Sequence, residues 1–193
     1  MTPLPFHPNP KKPEITLPAG ACDAHCHVFG PAERFPFAPS RTYTPVDAPK
    51  ETLFALHRLL GIERAVLVQA SCHGSDNSAM LDAIAASEGR YRGIAMVDRD
   101  VTDDALRTLH EGGVRGVRFN FVTHLGAPAD RDAIRQIVRK IVPLGWHAVI
   151  HFGAYRLAEL APSLSELELP MIIDHMGRVD ASAGIEQEAF QLL

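Results

Sequence analysis

Two histidines one residue apart close the segment Asp23-Ala24-His25-Cys26-His27. If this segment is extended, alternation places Asp23, His25 and His27 on one face and Cys22, Ala24 and Cys26 on the other. Imidazoles at i and i+2 on a strand end can share one metal ion or act on one substrate. Cys22 and Cys26 face away from that pair, so a structural zinc site built on the cysteines is not expected. An isolated His-x-His is weak evidence, and its weight here comes from company. Ser71-Cys72-His73 follows one apolar run, Arg118 closes another, His151 follows Val149-Ile150, and His175 follows Met171-Ile172-Ile173-Asp174. Asp174, with opposite parity to His175, is expected to point away from the site.

Neutral imidazole suits zinc and several other divalent ions, and ligands spread over strands with an open position form the catalytic kind of site. The candidate ligands are His25, His27, His151 and His175, around one divalent ion with zinc first in order; a metal-free mechanism is the alternative. Such an ion polarises a carbonyl or lowers the pKa of bound water. Arg118 and Arg178 offer guanidinium forks for carboxylate, with Arg41 and Arg156 as weaker candidates. The implied ligand is a small anionic molecule. His7, His57, His110 and His147 are read as structural.

The elements that must position these residues follow from periodicity. Short runs rich in Val and Ile occupy 20–25, 65–68, 93–97, 116–119, 147–150 and 171–173. Consecutive rather than alternating apolar residues suit parallel strands covered on both faces. Helical segments lie between them. Asp47 and Pro49 suit a helix start with Gly61 as terminator, Asp103 and Gly112 bracket another helix, and Ile134, Ile137, Val138, Ile141 and Val142 form one stripe of a third. The class is therefore α/β with a parallel sheet. No GxGxxG turn or P-loop is present, which favours a (β/α)8 TIM-barrel type over a dinucleotide fold. In such barrels, strand C-terminal ends build the active site, where the histidines above fall.

Composition sets the outer bounds. With 193 residues and 46% apolar content the chain can bury a core, and a net charge of -4 without a basic block offers no footprint for nucleic acid. Three cysteines and no secretory pattern fit a reducing compartment, and no apolar run has a membrane-spanning length, so a cytoplasmic location is expected. Six prolines among residues 1–18 mark an extended arm ahead of a barrel-like unit at 19–193.

Taken together, Asp23 to Gly30, Tyr43-Thr44-Pro45, Gly116 to Phe121, Gly145-Trp146-His147 and Asp174-His175-Met176-Gly177-Arg178 resemble the amidohydrolase-related TIM-barrel hydrolases. Within these, the pattern is most similar to the 2-pyrone-4,6-dicarboxylate lactonases and their sulfomuconolactone hydrolase and sugar-lactonase relatives. The resemblance spans about residues 18–180. It implies that His25 and His27 are the strand-one pair, that His175 polarises a lactone carbonyl, and that Arg118 and Arg178, with Tyr43 and Ser71, hold the substrate's acidic groups. His124 stands where the pyrone enzymes carry a second substrate-binding arginine. His151 stands where they carry a tyrosine, and it is the residue metal-binding members use. The dicarboxylate lactonases work without a metal, whereas some relatives use zinc.

The implied reaction is water attack on the acyl carbon of an acidic lactone. Nonoxidative, metal-dependent decarboxylation on the same scaffold is an alternative, as is a fragment or degenerate homologue inactive by itself. The family's general base is an aspartate ending strand eight, and no eighth strand is found. Six strand-like runs and a final helical stretch, Ile185 to Leu193, account for the chain, and two more units would need roughly 50 to 60 residues. The expectation is a barrel truncated after about six βα units, with strands one and six as unpaired edges and association, including homo-oligomerisation, as a consequence.

Overall fold

The computed structural model describes residues 6–125 and 130–193. Six strands appear where the apolar runs lie: β1 (Cys22–Cys26), β2 (Arg64–Val68), β3 (Tyr91–Ala95), β4 (Val114–Asn120), β5 (His147–His151) and β6 (Met171–Ile173). They form one parallel sheet in the order β1-β2-β3-β4-β5-β6. A doubly wound sheet reverses its strand order at a switch point, and this one does not. With right-handed crossovers, an unreversed order winds every connection onto the same side of the sheet, as in a β/α barrel. Among the described residues β1 and β6 are the two ends of the sheet.

The helices are α1 (Lys50–Leu60), α2 (Ser78–Ala86), α3 (Asp103–Glu111), α4 (Arg131–Ile141), α5 (Leu157–Leu164) and α6 (Glu188–Leu192). Gly61 ends α1 at φ 78° while the Ile62 N–H returns to the His57 carbonyl. Thr102 caps α3 through its side chain, and Asp130 caps α4. Three readings of the sequence need correction. Asp47 does not cap α1; both its carboxylate oxygens accept from the Ala32 N–H, and Pro49 occupies the cap position. Val142 leaves the apolar stripe of α4 and is exposed, because Pro143 turns the chain into a 3-10 segment there. Ile134, Ile137, Val138 and Ile141 are buried as expected. The last helix also starts at Glu188 rather than near Ile185.

The core joins the sheet to the helices through Leu67, Met80, Leu106, Val117, Ile141, Trp146, Ile150, Phe152 and Leu160. The Trp146 indole N–H is satisfied by His110 Nδ1 at 2.9 Å, which bears out the structural reading of His110. Gly116 marks a close approach between β4 and β5, since a Cβ there would sit 2.7 Å from the His147 carbonyl oxygen and 3.0 Å from Ile94 Cδ1. Gly116→Ala should therefore lower stability by roughly 1–3 kcal/mol, read as a reduced urea midpoint at unchanged slope.

Candidate active site at the strand ends

Strand β1 contains a bulge. Asp23 pairs with Ala65 and Cys26 with Leu67, so three steps along β1 match two along β2. The extra residue breaks the simple alternation. Asp23 therefore turns toward α1, where its Oδ2 lies 3.3 Å from His57 Nε2, and its Oδ1 accepts the His25 N–H. His25 and His27 still stand together, with ring centroids 5.1 Å apart. The expectation that Asp23 shares their face is overturned.

A second correction concerns Asp174. The chain leaves β6 at Ile173 and enters a turn in which His175, Met176, Gly177 and Arg178 all have positive φ, 52°, 52°, 63° and 53°. Strand parity ends where the strand does, so Asp174 and His175 both reach the site. Three non-glycine residues in left-handed conformation store strain that surrounding contacts must offset. Asp174 supplies much of that anchoring. Its carboxylate accepts from Arg118 Nε at 2.8 Å and Nη2 at 2.7 Å, and its Oδ1 lies 3.1 Å from His25 Nδ1. Arg118 Nη2 also reaches His151 Nδ1 at 3.1 Å.

The result is a chain, His25–Asp174–Arg118–His151, half-buried at His25 and buried at the other three, contributed by β1, the turn after β6, β4 and β5. Burial alone would raise the Asp174 carboxyl. The hydrogen bond from His25 and the charge of Arg118 outweigh it and hold the pKa at about 2. Protonation states follow from donor chemistry. An ionised carboxylate only accepts, so His25 Nδ1 carries a proton toward Asp174 and Nε2 keeps a lone pair. A guanidinium only donates, so His151 Nδ1 accepts and its proton sits on Nε2. Both Nε2 atoms are buried without a hydrogen-bond partner among the described residues. One is a free acceptor and the other a free donor. The His175 ring lies between them, 5.3 Å from His25 and 4.9 Å from His151 by centroid.

The other candidates are placed less centrally. His27 Nδ1 donates to the Val68 carbonyl at 2.7 Å, leaving Nε2 as its free atom. Arg178 is exposed, and its positive charge reaches His151 and His175. Tyr43 and Ser71 face one another at 3.5 Å between hydroxyls, and burial raises the Tyr43 phenol. His124 is exposed in a short turn after β4, and its carbonyl accepts from Thr42. Arg118 spends its Nε–Nη2 edge on Asp174, so only Nη1 is left for a ligand. Residues 6–10 of the arm line a cavity of about 600 Å³ with His27 and with Thr52, Leu53 and Leu56 of α1.

As a metal site, the strand-end set divides. Nitrogen and oxygen atoms of His25, Asp174 and His175 lie within 4.8 Å of one another, and the orphaned His25 Nε2 is a ready ligand. His151 offers no lone pair while Arg118 donates to it, and a guanidinium at 3.1 Å disfavours a cation there. Asp174 lies nearer still to that guanidinium and is spent on Arg118 and His25 Nδ1, so the lone pairs left for a zinc-class ion are those of His25 Nε2, His27 Nε2 and His175.

Burial lowers both His27 and His151 to about 4, the nearby charge of Arg118 adding to the shift in each. Ordinary histidine titrates near 6.5, so between these values the unfolded chain binds more protons than the folded one. Stability is therefore complete above about pH 6.5 and falls as pH drops through 4, by roughly 3 kcal/mol for each of the two imidazoles at most. Urea midpoints measured across it should decline steadily, and a flat profile would contradict buried neutral imidazoles.

Comparison with known proteins places this geometry. The family model described as Amidohydrolase matches residues 22–193. The chain is 51% identical to a 2-pyrone-4,6-dicarboxylate hydrolase of Comamonas testosteroni, over 98% of this chain and 62% of that protein. It is 39% identical to a 4-sulfomuconolactone hydrolase of Hydrogenophaga intermedia, over 97% and 61% respectively. A crystal structure of a probable 2-pyrone-4,6-dicarboxylic acid hydrolase from Acinetobacter baumannii, with citric acid bound, superposes with a TM-score of 0.77 at 32% identity, covering 90% of this chain and 64% of that one. The chain thus spans about three fifths of the length of the relatives it matches.

Proposed function

The chain belongs to the amidohydrolase family, and on that premise we propose that its strand-end site opens lactones that carry acidic groups. The observation that carries this reading is the hydrogen-bonded His25–Asp174–Arg118–His151 chain, which ends, among the described residues, in one unpaired acceptor and one unpaired donor. Ester hydrolysis needs both. His25 Nε2 takes the proton of the attacking water, with Asp174 holding the ring in the required tautomer. His151 Nε2–H and His175 face the carbonyl oxygen as it gains charge. Arg178, the remaining Nη1 of Arg118, and the Tyr43–Ser71 pair receive the substrate's acidic groups, with His124 at the rim.

Two lactone hydrolases among the relatives and the citric acid bound to a structural neighbour support an anionic carboxylate substrate. A divalent ion held by His25, His27 and His175 would take the His25 Nε2 lone pair and so replace that base, supplying Lewis-acid polarisation in its stead. The cavity shared by the arm and His27 supports a covering role for residues 6–10. No described helix is long and apolar enough to cross a membrane.

The test is direct: the folded chain is incubated with 2-pyrone-4,6-dicarboxylate and 4-sulfomuconolactone, and ring opening is followed by proton NMR. Ring-opened carboxylate is expected. Carbon dioxide release in its place would substitute decarboxylation, and no turnover of either compound would overturn the proposal for this chain.

A further inference from the structure

The bulge in β1 has assembled a second group of donors on the opposite face of the strand, beneath α1. We propose that Asp23, Cys26 and His57 form a binding site for a thiophilic divalent ion of the zinc class, separate from the strand-end histidines. In a regular strand residues 23 and 26 would face opposite ways. The extra residue in β1 brings both onto the face that meets α1. One donor atom from each of Asp23, Cys26 and His57 lies within 4.8 Å of the others. Asp23 Oδ2 and His57 Nε2 are 3.3 Å apart, about the separation of two ligands on one tetrahedral zinc with bonds near 2.0–2.1 Å.

The surroundings suit an ion. His57 is 2% exposed, and its Nδ1 contacts the Tyr91 hydroxyl at 2.7 Å. A phenol both donates and accepts, so the Tyr91 oxygen can accept from Nδ1–H when His57 Nε2 turns its lone pair to a metal. The Cys26 thiol, which donates weakly to the Val66 carbonyl at 3.7 Å, would release its proton to solvent on binding. The Asp23 carboxylate and the Cys26 thiolate then balance the two positive charges. The Asp23 side chain is 29% exposed, which gives the ion an entry path and a place for a water as fourth ligand. A Cys–His–Asp set favours a thiophilic ion over magnesium or calcium. Such an ion would tie α1, through His57, to Asp23 and Cys26 of β1.

The full chain, kept reduced, is titrated with cobalt(II) chloride. A near-ultraviolet sulfur-to-cobalt charge-transfer band saturating at about one equivalent is expected, because only a thiolate ligand produces it. The histidines at the strand ends cannot give this signal. The band should vanish in Cys26→Ser and persist in Cys22→Ser. Its absence from the unmodified chain, or its survival in Cys26→Ser, overturns the proposal. Should Cys26→Ser fail to fold, the unmodified chain decides: zinc is expected to slow alkylation of Cys26 by about tenfold or more while leaving Cys22 reactive. Equal rates with and without zinc overturn the site.

Discussion

An Asp174→Asn protein is expected to remain folded while losing roughly 10³–10⁴ in kcat for lactone opening. The amide matches the carboxylate in shape and keeps one oxygen to accept from Arg118. Its NH2 group then faces His25 Nδ1 and makes that atom the acceptor. The imidazole proton moves to Nε2, the atom assigned to take the proton from water, and the base is lost without loss of the ring. KM should change far less than kcat, since Arg178, Tyr43 and Ser71, the groups proposed to hold the substrate, are untouched. The check is a pair of measurements, kcat against KM and the unfolding midpoint. If kcat stays within about tenfold of the unmodified chain, His25 is not the base.

Arg118→Ala should have the largest effect on stability, a loss of about 3–5 kcal/mol. Arg118 and Asp174 are 6% and 4% exposed, so removal of the cation leaves a buried carboxylate whose one remaining side-chain partner among the described residues is the His25 Nδ1–H. His151 loses its Nδ1 donor in the same step. The pH dependence has a definite sign. Asp174 is held at about 2, below the ordinary carboxylate value near 3.9, so the pair's contribution is present above that value and is lost as pH falls through 2. In Arg118→Ala that carboxyl rises with burial, and the acid limb of the stability profile moves upward. Arg118→Lys should recover part of the loss, because an ammonium keeps the charge without the fork that reaches both Asp174 and His151. Urea unfolding of the three proteins at neutral and mildly acidic pH separates these outcomes.

Both predictions rest on contacts that the sequence could not display. The strands were legible because a parallel strand covered on both faces must be apolar at consecutive positions, as in Val66-Leu67-Val68 and Ala148-Val149-Ile150. The helix ends at Gly61 and before Gly112 were legible because few residues other than glycine adopt left-handed terminators or pack against a neighbouring side chain so closely. His25, His27, His151 and His175 could be gathered from their positions alone, since parallel strands bring their C-terminal ends to one edge. Asp174 and Asp23 could not. Both were assigned by strand alternation, and both sit where alternation stops: one at a bulge, the other past the end of a strand in a left-handed turn. The glycine in Met176-Gly177-Arg178 hinted at that turn, although it gave no sign that His175 and Met176 would share its conformation.

By itself, then, the sequence determined the class of the fold, the edge of the sheet where chemistry gathers, and the residue types present there, because each depends on local periodicity. The tertiary structure decided which of those residues touch. Whether Arg118 meets a ligand or Asp174, which nitrogen of His25 and His151 holds the proton, and which face of β1 carries Asp23 all depend on sub-ångström register between strands distant in sequence. One inserted residue or one reversed φ changes every such contact, and leaves the pattern of apolar and polar residues unaltered.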